Sequence, residues 1–190
     1  MRILSYTIEE YIDLAKSFHG VSAPGIVIGG FMVNRVARDI PDGVLYDAIC
    51  ETRTCLPDAI QLLTPCTIGN GWLTVVHLGR FALTLYDKQT KEGTRVFLDP
   101  GKLWSWPGIR NWFLKTKPKG EQDPDSLVRE IIEAGERILG IQQVRIRPGL
   151  FEKKHKKSVD ICPRCGEAYP AEDGRVCLAC QGNSPYLDRP

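Results

Sequence analysis

The sequence predicts an α+β fold, with helices packed on an antiparallel sheet and a small metal-held module after it. Three observations carry this. Two stretches with helical spacing of apolar residues open the chain, and shorter alternating or continuous apolar segments follow. One further helical stretch comes late, near residue 130, and the strand–helix alternation of a doubly wound sheet is missing. Four of the seven cysteines lie after residue 160 as two C-x-x-C pairs.

Taken in order, Thr7-Ile8-Glu9-Glu10 reads as a capping box. Ile8, Ile12, Ala15 and Phe18 then predict a helix to about Ser17, closed by His19-Gly20. Pro24-Gly25 opens a second helix through about Arg38, whose first half has no polar face and is therefore buried. Leu45 to Cys50 is a strand, and Pro57 to Leu63 a short helix with proline in its first turn. Trp72–Leu78 and Phe81–Tyr86 flank Gly79-Arg80, which fits a two-residue hairpin turn. Thr94 to Leu98 is the next strand, and residues 100–123, with three tryptophans among Pro and Gly, read as an ordered loop. Asp123-Pro124 caps a last helix, apolar at Leu127, Ile131, Ala134 and Ile138 and ending at Gly140. Val144 to Arg147 alternates like a final strand.

Composition narrows the function. The chain has 190 residues, 43% hydrophobic and 25% charged, too apolar for a disordered protein. No apolar run reaches the roughly 18 residues that span a bilayer, and acids interrupt the N-terminal stretch where a signal peptide would be apolar. A cytoplasmic protein with no membrane contact is expected. The net charge of +2 argues against a general nucleic-acid binder. The organisation expected is a domain over 1–150, a basic linker over 151–160 (FEKKHKKS and its neighbours) and a module over 161–190.

Cys162-x-x-Cys165 and Cys177-x-x-Cys180 enclose 11 residues, with Gly166 after the second cysteine. Each tight turn presents two sulfurs, and two such turns close a tetrahedral site around zinc with no open position. One structural zinc per chain in a zinc-ribbon-like module is expected, supplying most of the folding free energy of a segment too short for its own core. An odd cysteine total with this pairing suits bound thiolates better than disulfides.

A second constellation lies in the first half. His19-Gly20 and Pro24-Gly25 form a helix–loop–helix junction, and Glu51, Cys55, Asp58-Ala59, Gln61 and Cys66-Thr67-Ile68-Gly69-Asn70-Gly71 follow. These residues resemble the FmdE-like family, which takes its name from a component of molybdenum- and tungsten-dependent formylmethanofuran dehydrogenase. The family's early motif His-Gly-His-x-Cys-Pro-Gly reads HGVSAPG here, so His19, Gly20, Pro24 and Gly25 match while Val21 and Ala23 replace a His and a Cys. Its later block appears as Cys55, DAIQ at 58–61 and Pro65-Cys66-Thr67-Ile68-Gly69. Many members also end in a four-cysteine zinc module.

The resemblance implies a zinc-binding accessory protein linked to one-carbon redox metabolism, with dehydrogenase subunits as partners; a homodimer is expected separately, because a metal-bearing tail on a linker can exchange between two copies. The resemblance also implies a pocket of His19, Cys55, Asp58 and Cys66, whose donors leave room for a second, exchangeable metal. Two alternatives of other classes stand beside it. One is a stand-alone small-ligand enzyme using His19 as acid/base and Cys55 or Cys66 as thiolate. The other is a zinc-ribbon adaptor for RNA or protein, with Lys153, Lys154, Lys156 and Lys157 as its contact.

Overall fold

A computed structural model describes residues 1–150 and 158–187. The chain divides into two compact units, Met1–Leu150 and Phe151–Pro190.

In the first unit a short antiparallel pair, β1 (Arg2–Ile3) and β2 (Tyr6–Thr7), leads into α1 (Ile8–His19). The capping box is formed: Glu10 N–H donates to Thr7 Oγ1, and Thr7 N–H donates to the Glu10 carboxylate. Gly20 closes α1 in the left-handed conformation, φ 87°, which costs glycine nothing. The second helix, α2 (Pro24–Ala37), is buried without interruption from Gly25 to Val33. Two glycines let neighbours approach it. A Cβ on Gly29 would stand 2.6 Å from that of Ala59, and one on Gly30 would enter the Tyr11 ring, whose hydroxyl donates to the Ile26 carbonyl.

The main sheet has the order β4-β3-β5-β6-β7, built from β3 (Tyr46–Cys50), β4 (Leu73–Val75), β5 (Ala82–Asp87), β6 (Glu92–Leu98) and β7 (Leu139–Arg145). Three of its four pairings are antiparallel; β3 and β4 run parallel, with Ala48 opposite Leu73. This corrects the expected hairpin across Gly79-Arg80. The short helix α3 (Leu56–Leu63) carries the chain from β3 to β4 on one edge, and β5 then pairs with the other edge. Ala48, Ile49 and Cys50 are all buried, as a central strand requires.

Two further elements differ from expectation. The tryptophan-rich loop contains α4 (Pro107–Leu114), a helix too short for its period to be read, whose single buried residue is Ile109. The last helix, α5 (Pro124–Ala134), stops at Gly135 with φ 54° and not at Gly140. Gly140 belongs to β7 instead, where the Phe97 ring occupies the space a side chain would need.

Among the described residues the second unit holds a hairpin, β8 (Val159–Ile161) with β9 (Ala168–Pro170), and 3₁₀ turns over Ala171–Asp173 and Ala179–Gln181. Most of the expected linker, 151–157, lies outside the described residues; β8 begins inside its remainder. Its residues are all exposed, so burial gave no strand signal there. No helix among the described residues is long and apolar enough to cross a membrane.

Replacing Gly30 by Val should destabilise the protein by about 2–3 kcal/mol, because the new side chain must displace the buried Tyr11 ring. Urea denaturation checks this, with Gly120→Ala, in open space, as the near-neutral control.

Candidate functional site

The four late cysteines converge. Their sulfurs all lie within 4.8 Å of one another, and Cys165 Sγ is 3.7 Å from Cys177 Sγ. Four sulfurs about 2.3 Å from one zinc ion sit about 3.8 Å apart, so the donor set and its spacing fit a tetrahedral thiolate site. The local sequence explains the convergence. After β8 the chain turns tightly: Gly166 N–H donates to the Cys162 carbonyl at 2.8 Å, and Gly166 takes φ 78°. Cys162 N–H donates to the Glu167 carbonyl, closing the same turn. The second pair stands at the 3₁₀ turn, where Gln181 N–H reaches the Cys177 carbonyl. A helical turn in place of a second hairpin corrects the ribbon-like expectation. Arg164 ties the two pairs together by donating to the Cys180 carbonyl at 3.0 Å. Desolvation opposes ionisation of Cys162, but N–H groups of Cys177, Cys165 and Arg164 aimed at its sulfur bring the thiol down to about 6. Zinc held there closes the module; no position is left for substrate.

In the first unit, His19 and Asp58 meet although 39 residues separate them. His19 ends α1, Asp58 lies in the first turn of α3, and Nδ1 is 2.6 Å from Oδ2. With the carboxylate accepting, Nδ1 carries the proton, and Nε2 has no partner among the described residues. Both side chains are partly exposed, at 19% and 33%, so a solute can reach them.

Cys55 caps the same end of α3, with φ 55° and ψ −50°, a backbone conformation few L-residues adopt. Gly25, at the start of α2, makes room for it: a Cβ there would lie 3.0 Å from the sulfur. Glu51, which stands ahead of Cys55 in the first-half constellation, is the anchor behind this bend. Its carboxylate, 5% exposed, receives Arg95 at both oxygens (2.6 and 2.9 Å) and Arg80 at one (2.6 Å). Burial opposes its charge, and the two guanidiniums hold its pKa below the usual value. A carboxylate just after an apolar strand, followed directly by Thr52-Arg53-Thr54, was the available signal.

Cys66 departs from expectation. It follows the far end of α3, an eight-residue helix about 12 Å long, fully buried with its thiol directed at the Tyr46 carbonyl. His19, Cys55 and Cys66 therefore do not share one pocket. Among the described residues the late quartet is the only group of three or more metal-capable side chains. Neither thiol is activated. Desolvation, then Asp58, raise the Cys55 pKa against a smaller lowering by Lys115, and desolvation carries Cys66 to about 11.

Two outcomes follow from this geometry. Iodoacetamide at pH 7.5 should label Cys66 only after denaturant, and Cys55 several-fold more slowly than a free thiol, the Cys55 rate rising as pH passes above 9. Mass spectrometry of tryptic peptides reads both. Cys177→Ser should abolish stoichiometric zinc, measured by elemental analysis, and leave the urea midpoint of the first unit unchanged.

Comparison with known proteins places this arrangement. Residues 18–146 match the family model described as FmdE, molybdenum formylmethanofuran dehydrogenase operon, and residues 153–187 match the FmdE treble clef zinc finger. A probable S-adenosyl-L-methionine-binding protein of Archaeoglobus fulgidus is 30% identical over 89% of this chain, which spans 52% of that relative. The crystal structure of a tungsten formylmethanofuran dehydrogenase FmdE-like protein from Syntrophus aciditrophicus superposes with a TM-score of 0.91, at 60% identity and 98% coverage of both chains. With its His19-to-strand domain and its zinc-binding cysteines both matched, the chain belongs to the FmdE family.

Proposed function

We propose that this protein is an accessory factor of a molybdenum- or tungsten-dependent formylmethanofuran dehydrogenase, working in one-carbon redox metabolism through contacts with that enzyme's subunits. The observation that carries the reading is the likeness, over nearly the whole of both chains, to a protein described as tungsten formylmethanofuran dehydrogenase FmdE-like. In this reading the zinc module is structural, held by Cys162, Cys165, Cys177 and Cys180. The working site is the His19–Asp58 pair beside Cys55, with His19 Nε2 as its available base. Cys66 is a core residue. The protein acts in the cytoplasm as a homodimer, and its near-balanced charge supports protein partners over nucleic acid.

The archaeal relative gives a second ligand to try at the same pair, S-adenosyl-L-methionine.

Affinity purification of the tagged full chain from its own cells tests the first reading. Dehydrogenase subunits should co-purify in stoichiometric amount, and zinc removal should weaken the complex; their absence at native expression would refute it. Calorimetric titration with S-adenosyl-L-methionine, in wild type and His19→Ala, tests the second. Binding that falls about tenfold or more in the variant supports it.

A further inference from the structure

Beside the first turn of α2 lies a groove of about 310 Å³ whose charged lining residues are all basic, with Gln122 as a neutral polar neighbour. Lys115, Lys117 and Lys119 line it together with the Trp112 ring, and Pro24 and Leu127 add apolar surface. The local chain explains the convergence. Lys115 ends α4 in the left-handed conformation (φ 57°, ψ 31°) and Pro118 is extended (φ −55°, ψ 145°), and along this irregular stretch the three lysines come to line the same groove. A lysine in the left-handed region costs about 1–2 kcal/mol that glycine would not, at a helix end where glycine is the usual residue.

None of the three ammonium groups has an ion-pair partner among the described residues, although acids are close by. Glu121, Asp123 and Glu130 line the adjoining groove, which Lys117 also borders. Asp123 is occupied in capping α5 through Asp125 N–H, and Glu130 accepts from Gly108 N–H. Three like charges around one concavity repel each other, and the positive end of the 14-residue α2 adds to that field. Trp112 is held in place by Phe81, edge-on at 6.4 Å, and by Phe113 at 6.2 Å, and the Lys115 ammonium stands 5.2 Å from its ring centroid, so charge and ring are side by side.

We infer that this groove binds a small molecule carrying at least two phosphate or carboxylate groups and a flat ring, the lysines holding the charges and Trp112 the ring. Ammonium groups suit such a ligand as mobile point charges, and an indole face gives the ring apolar contact. The inference goes beyond the accessory role proposed above and does not depend on it. A net-cationic ligand finds no counter-charge among the residues lining this groove.

The test is calorimetric titration of the full zinc-loaded chain at low salt with four probes. ADP and benzene-1,3,5-tricarboxylate combine charge and ring, and distinguish a phosphate from a carboxylate ligand; pyrophosphate and adenosine carry the two halves separately. At least one combined probe should bind with submillimolar Kd, at least fivefold tighter than either half, and weaken as salt rises. Lys115→Gln/Lys117→Gln/Lys119→Gln should weaken it more than tenfold, about threefold per lysine, whereas Lys91→Gln on the β5–β6 turn should not. These lysines are exposed, so the triple variant keeps the wild-type unfolding midpoint. Failure of both combined probes to bind, or binding that the triple variant leaves intact, overturns the assignment.

Discussion

Helix α2 offers water no polar face from Gly25 to Val33, so the chain has to cover it from several directions at once. Helices α1, α3 and α5, strand β1 and the sheet strands β5 and β6 all pack against it. Each large side chain it buries, such as Ile26, Ile28 or Met32, contributes roughly 1.5–3 kcal/mol. Gly29 and Gly30 set how near α3 and α1 can come. That spacing decides the chemistry, since α1 ends in His19 and α3 begins near Asp58. The pair is a by-product of how two helices close on a third.

Position along α3 then sorts the remaining groups. Its first turn gathers Cys55 and Asp58 where α2 also begins, so two helix starts face one small region. Its other end is closed by Thr64 and leads to Cys66, which packs as a small hydrophobe under β3. Glu51 fixes the strand end from which the chain bends into Cys55. The bend is tolerated because strand, ion pairs and helix determine it from three sides.

What the sequence made legible was local. The capping box, the proline-led helices and the unbroken apolar half of α2 each sit within a few residues, and each appears as read. The cysteine quartet was legible because each C-x-x-C is a turn in itself. The β4–β3–β5 order was not, since Gly79-Arg80 looks the same whether the strands it joins are partners or are separated by a third. Gly135 and Gly140 could not be ranked as helix stops without knowing that Phe97 lies over the second. His19 and Cys66 came from one family pattern, yet a pattern carries no information about which end of a helix each residue meets. Lys115, Lys117 and Lys119 lie in a stretch legible only as an ordered loop, and nothing local to it places them with Trp112 along one groove.

The covering of α2 also has a consequence during synthesis. Of its neighbours only β1 and α1 precede it; α3, β5 and β6 come later, and α5 ends about 100 residues further on. At about 5–20 residues per second, a ribosome leaves the helix without its full coat for roughly 5–20 s. Throughout that interval the nascent chain displays nine consecutive residues destined for the interior, a stretch that chaperones recognise and that neighbouring nascent chains can join. The feature that fixes the finished domain is therefore also the point at which its biogenesis is most exposed to failure.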